Sequence, residues 1–251
     1  MTEENNKIQK KFWDNNFEKE NKPDNSDFSR DIKYFKERFL DIVINPEAKK
    51  ILEIGCGNGM LTFFLLKRKI KIIAIDISEK AIANLNRWFS EEIRSGKLRL
   101  VCSDLLEFLA NSRENFDVIV GAGIIHHIEK KDRKKLFRLV YQRLNPGGIF
   151  ACGPEPNAGG LYALAWRLAG IFFRIFGMKY DWEVEKETLN MKSGAIKREL
   201  KKAGFGKYDI MPFQCIPHFH LRILELMDRK IINHVRGKFS MYIIVKGEKN
   251  V

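Results

Sequence analysis

Residues 51–62, ILEIGCGNGMLT, constrain this chain more than any other stretch. Four residues, apolar except for Glu53, read as a buried strand, and three alternating glycines separate it from an apolar run that can begin a helix. Glycine lets the backbone turn sharply, and its missing Cβ lets a ligand lie against bare main chain. The first N–H groups of the following helix then face that ligand with the positive end of the helix dipole behind them. A dinucleotide fingerprint, G-x-G-x-x-G, would need glycine at position 60, which is Met60. No Gly-Lys-Ser/Thr follows, so a phosphate-binding loop of the Walker type is excluded as well.

Strand and helix patterns alternate from this loop onward. Residues 71–76, KIIAID, form a strand ending in Asp76, and residues 78–93 have helical spacing. Residues 98–102 and 115–120 supply strands three and four, the first followed by Ser103 and Asp104, the second by Gly121. A helix over 132–144 stops at Asn145-Pro146-Gly147-Gly148, and strand five covers 149–152. Further on, the pattern predicts a helix over 188–203, strand six over 207–211 and strand seven over 239–245. Such a rhythm implies an α/β fold, a doubly wound parallel sheet with helices on both faces. Ligands of such sheets lie beyond the carboxyl ends of the strands, where Gly55, Asp76, Asp104, Gly121 and Glu155 converge. Asp76 stands about twenty residues past the first glycine, the spacing at which an acid meets ribose hydroxyls.

The order LEIGCGNG, AIDIS, SD, FDVIV…HHI and LNPGG resembles the class I methyltransferases that use S-adenosylmethionine, across residues 51–213. The HHI and PGG elements look most like the branch acting on small molecules. The resemblance implies a Rossmann-like seven-stranded sheet, with strand seven antiparallel between five and six. It also implies a cofactor site made of Glu53, Gly55, Cys56, Gly57, Asp76, Ile77, Ser103, Asp104 and Gly121. Glu53, Gly55 and Gly57 would hold the methionine end, and Gly121 would offer its carbonyl to the ammonium. Asp76 would accept from the ribose hydroxyls, Ile77 would pack on the adenine and Asp104 would accept from its amino group. His126, just past strand four, is the expected general base, since imidazole can take a proton near neutral pH.

Charge raises a competing reading. The net charge of +13 favours anionic partners, and Lys130, Lys131, Lys134, Lys135 and Arg138 lie along one helix. Yet strand four ends in Gly-Ala-Gly-Ile, not in the Asp/Asn-Pro-Pro-aromatic motif of enzymes that methylate exocyclic amines. Nucleic acid is therefore not the expected partner, and a small molecule is. An RNA or protein methyltransferase, and a non-catalytic cofactor-binding protein, are the rivals.

The expected organisation is a helical arm over residues 1–45 and a methyltransferase domain over 46–251, with a helical insertion at about 157–187. The arm carries Phe12, Trp13, Phe17 and Phe28, an aromatic density that suggests a segment docking over the active site instead of a disordered arm. A helix is also predicted over 31–44. Residues 161–176 are apolar except for Arg167 and Arg174 and read either as a helix buried in the core or as one covering the pocket and touching membrane. They suggest a lipid-like or otherwise apolar acceptor. The four cysteines have no C-x-x-C spacing and read as reduced, mostly buried residues of a cytoplasmic protein with peripheral membrane contact. Cys215, His218 and His220 are too few for a closed metal site, so no metal is expected.

Overall fold

The computed structural model describes residues 3–19, 22–23, 39–40, 47–159, 190–214, 226–227 and 240–251. The helices expected over 31–44 and 161–176, and the trio Cys215, His218 and His220, lie outside these residues or nearly so. Helix α1 (Glu3–Asn16) runs into a 3-10 turn (Phe17–Lys19). Then follow β1 (Lys50–Ile54), α2 (Met60–Leu66), β2 (Lys71–Asp76), α3 (Glu79–Trp88), α4 (Ser90–Arg94) and β3 (Leu98–Cys102). The chain continues through α5 (Leu105–Asn111), β4 (Phe116–Gly121), α6 (Lys130–Arg143), β5 (Leu144–Pro156), α7 (Ser193–Ala203), β6 (Lys207–Gln214) and β7 (Tyr242–Glu248).

The described strands form one seven-stranded sheet in the order β3-β2-β1-β4-β5-β7-β6. β1 pairs in parallel with β2 on one side and β4 on the other, and β7 is antiparallel to both β5 and β6. The expected topology is therefore borne out. The order reverses between β1 and β4, which opens a crevice at their carboxyl ends.

Both faces of the sheet are covered, and successive side chains serve opposite faces. Leu52, Ile54, Ile73 and Ile75 pack with Leu106, Phe137 and Val140 on one face. Ile51, Ile72 and Ala74 pack with Leu65, Leu85 and Phe89 on the other. This alternation explains why the central strands read as unbroken apolar runs.

Three element boundaries differ from the sequence pattern, each for a tertiary reason. The helix expected over 78–93 is divided at Phe89, which leaves helical geometry at φ −116°, ψ 32° and is buried at 1% exposure. Strand five begins at Leu144, because Leu144 pairs with Phe116 before the Asn145–Gly148 turn and Ile149 resumes pairing at Val118. β7 extends through Lys246 and Glu248, polar residues held in the ladder by partners on β5 and β6. Cys56 and Cys152 are buried as expected, whereas Cys102 is exposed.

Candidate active site

At the carboxyl edge the strands end in residues that the loops gather around one cavity of about 270 Å³. Its walls include Glu53, Gly55, Cys56, Gly57, Asp76, Ile77 and Ser103 from the expected set. Asp104 and Gly121 are not wall residues; their neighbours Leu105 and Ala122 are. His126 also lies behind the wall, and His127 faces the cavity in its place.

The glycine loop turns through left-handed backbone at Gly55, Gly57 and Gly59, with φ of 66°, 47° and 76°. At Gly57 this conformation aims the amide at Asp76, whose Oδ2 accepts it at 2.8 Å. Asp76 Oδ1 accepts the Ser78 amide at 2.9 Å, and the Ser78 hydroxyl caps α3 by accepting from the Ala81 amide at 3.1 Å. Asp76 thus braces both the loop and the helix start. Each carboxylate oxygen carries a second lone pair with which to meet a ligand. Burial raises the Asp76 pKa, against the three backbone N–H groups that favour the anion.

Glu53 is 1% exposed on the floor of the cavity. Its Oε2 accepts from the Thr62 hydroxyl at 2.7 Å, and its Oε1 has no hydrogen-bond partner among the described residues. Burial pushes its pKa up to about 8, the Thr62 contacts opposing that shift and the nearby Asp76 adding to it. A carboxyl group in this setting is mostly protonated at neutral pH, and a cation placed beside it would favour the anion. Asp104 caps α5, its Oδ1 accepting from the Glu107 amide at 2.9 Å, while its buried Oδ2 lacks a partner among the described residues.

Gly121, at the end of β4, has a packing role. A Cβ there would stand 2.7 Å from Ile54 Cγ1 and 2.8 Å from the Ile54 carbonyl oxygen. Gly121→Ala should therefore push β1 and β4 apart and cost about 1–3 kcal/mol, the usual price of overpacking. Chemical denaturation checks this, and a loss below about 0.5 kcal/mol, the range of neutral surface changes, would contradict it.

Glu155, fully buried at the end of β5, organises the loop after β4. Its Oε1 accepts the amides of Ile124 and Ile125 at 2.8 and 3.0 Å, and its Oε2 accepts the His126 amide at 3.2 Å. The same Oε2 lies 2.7 Å from His126 Nδ1. Burial would raise the Glu155 pKa, but the His126 ring, the Ile125 amide and the Cys152 thiol outweigh it and the pKa falls. The Cys152 thiol donates to Oε1 at 3.1 Å, and burial together with this carboxylate holds its own pKa well above the usual thiol range. The His126 and His127 ring centroids lie 3.9 Å apart, so His127 on the cavity wall packs against the ring that Glu155 holds.

The opposite wall comes from α1. Gln9, Trp13 and Phe17 line the cavity, Trp13 meets His127 edge-on at 5.2 Å, and Trp13 and Phe17 stack at 5.5 Å. Sequence reasoning brought the aromatics of the arm over the active site and Glu155 to the ligand edge, but it named neither Gln9 nor His127 as a wall residue, nor Glu155 as the organiser of the loop after β4. The signals present were the aromatic density of the arm and an acid at the end of strand five.

A doubly wound sheet with β7 reversed, and a glycine-loop cavity floored by carboxylates at its switch point, give this chain the class I methyltransferase fold. Comparison with known proteins agrees: residues 51–148 match the family described as "Methyltransferase domain". Among curated proteins, the chain is 27% identical over 138 residues to the ubiquinone biosynthesis O-methyltransferase of Pseudomonas fluorescens, covering 55% of each. It is 29% identical over 115 residues to the carboxy-S-adenosyl-L-methionine synthase of Shewanella baltica, covering 44% of this chain and 46% of that one. The chain thus spans about half the length of the curated relatives it matches.

Solved structures share the fold over more of the chain. An S-adenosylmethionine-dependent methyltransferase from Archaeoglobus fulgidus superposes with a TM-score of 0.62 at 20% identity, covering 88% of this chain and 95% of its own. The N-methyltransferase NodS from Bradyrhizobium japonicum, in complex with S-adenosylhomocysteine, gives 0.60 at 14% identity, covering 96% and 97%.

Proposed function

We propose that the protein binds S-adenosylmethionine in this cavity and transfers its methyl group to a small-molecule acceptor. The observation that carries the reading is Glu53, a buried carboxyl with one unpartnered oxygen at the end of the central strand. Such a group calls for a cationic ligand, and the amino-acid end of the cofactor carries an ammonium. The residues present fit the rest of it. Asp76 accepts from the ribose hydroxyls on its remaining lone pairs, and Ile77 packs against the adenine. Ser103 and the unpartnered Asp104 Oδ2 meet the adenine amino group. Backbone groups of Gly55, Cys56, Gly57 and Gly121 complete the cradle.

When bound, the cofactor supplies an activated methyl on sulfonium. The protein's own part is to align the acceptor and to exclude water. The histidine pair is the proposed route for the acceptor's proton: Glu155 fixes the His126 tautomer through Nδ1, and His127 stands on the wall. Apolar wall residues, among them Trp13, Phe17, Leu61, Leu105 and Ile128, favour an acceptor with apolar surface. The apolar run at 161–176 supports the narrower reading of a lipid-like acceptor met at a membrane face. Among the described residues no helix is long and apolar enough to cross a membrane.

Incubating the protein with methyl-labelled S-adenosylmethionine and small-molecule, lipid, RNA and protein fractions tests the reading. Label should enter a small molecule; incorporation into RNA or protein would overturn the acceptor class. Conversion of the donor itself, with its methyl retained, would point to the chemistry named for the carboxy-S-adenosyl-L-methionine synthase relatives. In the same assay, Asp76→Ala should weaken donor binding by about 1.5–3 kcal/mol, the range for hydrogen bonds to a charged group. Unchanged affinity by calorimetry would leave Asp76 only as a brace for the loop.

A further inference from the structure

Helix α1 is tied to the domain by polar groups that sit beside the site. Asp14 Oδ1 accepts the Ser78 hydroxyl at 2.6 Å and the Lys80 amide at 3.1 Å. Its Oδ2 pairs with Lys10 at 3.0 Å, and Lys10 also reaches Glu79 at 3.2 Å. One turn on, the Asn84 side-chain amide donates to the Phe17 carbonyl at 2.8 Å. Lys10 is more than one-third exposed and Glu79 largely exposed, so that pair adds little. Asp14 and Asn84 therefore supply two ties to α3 and its N-terminus that single substitutions can break.

Two features make this attachment separable. The segment is a 14-residue, mostly polar sequence, EENNKIQKKFWDNN, and an isolated helix of that length is marginal in water. Trp13 of the helix and Phe17 of the turn that follows it both face the cavity. Phe17 lies over the glycine loop, with its Cζ 3.2 Å from where a Cβ on Gly57 would stand. At about 270 Å³, the space beneath is just under the usual size of a ligand pocket.

The tie also connects directly to the presumed ribose acceptor. Ser78 donates its amide to Asp76 Oδ1 and its hydroxyl to Asp14 Oδ1. Gly57 donates to the other oxygen of Asp76. A continuous chain of hydrogen bonds thus runs from the glycine loop through Asp76 and Ser78 to α1.

We propose that α1 is a cofactor-binding wall, with Trp13 and Phe17 in contact with the bound S-adenosyl group and Asp14 as the latch that retains it. This rests on the cofactor reading above and adds residues and a gate to it. The closed helix narrows the way out, and a ligand beneath gives the two rings an apolar partner. Closure and ligand retention are therefore coupled, and coupling is reciprocal: whatever factor the latch adds to ligand affinity, the ligand adds to closure.

S-adenosylhomocysteine is the probe. Its dissociation from the wild-type protein is measured by stopped flow beside Asp14→Ala and Asn84→Ala, which break the two ties separately. Each variant should release the ligand about tenfold faster, with association little changed, because differences in affinity among variants of one site fall mainly on dissociation. Trypsin cleavage at Lys10 and Lys11 supplies the reciprocal reading, and saturating ligand should slow it about tenfold in the wild type. Ligand binding with wild-type release rates in both variants, or with unprotected cleavage, would overturn the latch and leave the cofactor reading intact. A wild-type protein that binds no S-adenosylhomocysteine would overturn both.

Discussion

Glu53→Gln should make the ligand-free protein more stable at pH 8 while weakening its hold on S-adenosylmethionine. The side chain is buried, and its pKa stands near 8 against an ordinary 4.5. The native state therefore keeps a proton that the unfolded chain releases between those values. Because the native state binds more protons there, stability falls as pH rises from about 4.5 to about 8, then levels off. Glutamine does not titrate, so its advantage is absent below pH 4.5 and full above pH 8. Its size should be roughly 1–3 kcal/mol, the scale for a buried polar group without a partner.

Ligand binding should show the opposite sign. A cofactor ammonium at Oε1 requires the carboxylate, so wild-type affinity should drop as pH falls below about 8, and binding near pH 7 should release a proton. Glutamine should abolish that release and cost about 1.5–3 kcal/mol of affinity. Melting curves at several pH values and calorimetry in buffers of different ionisation enthalpy measure the two halves. A Glu53→Gln advantage independent of pH, or binding without proton release, would remove Glu53 from the role proposed.

Arg133→Ala should be among the most damaging substitutions that leave the cavity untouched. Arg133 is a fully buried residue of α6, and its guanidinium grips Glu199 of α7 through Nε to Oε2 at 2.6 Å and Nη2 to Oε1 at 3.1 Å. It also donates to the Asn190 carbonyl at 3.4 Å, tying down the start of α7. Removing one partner of such a pair strands the other charge and typically costs 3–5 kcal/mol. At about 2–4 °C per kcal/mol for a chain of this size, melting should fall on the order of 10 °C. Arg133→Met combined with Glu199→Leu should recover most of the loss, since apolar replacement of a buried pair is often neutral. A single variant that melts within two or three degrees of wild type would show the pair to be dispensable.

Arg133 also marks a limit of sequence reading. It lies among Lys130, Lys131, Lys134, Lys135 and Arg138 in a helix whose basic face reads as solvated. Those five residues are indeed exposed, and Arg133 is buried against α7. Its spacing, three and four residues before Leu136 and Phe137, puts it on the buried face of the helix, but the partner that makes a guanidinium tolerable there is Glu199, 66 positions away.

The alternation of strands and helices and the carboxyl-edge site were legible in the linear pattern, whereas the place of strand seven between five and six came only from the resemblance to the methyltransferases. Period and punctuation are local, and chain connectivity then limits how parallel strands can be joined. Asp76 stood out for the same reason, as an acid that ends its strand about twenty residues past the first glycine, while the roles of Glu53 and Gly57 were implied by the resemblance. Only the tertiary structure could show that His126 is held against Glu155 while His127 faces the cavity, because the choice between adjacent loop residues depends on an acid 29 positions away. It likewise decided that the polar arm lies across the site, where Asp14 meets Ser78 over a separation of 64 residues. Periodicity determines which elements form and which face is buried; which polar side chains meet is settled only when those elements pack.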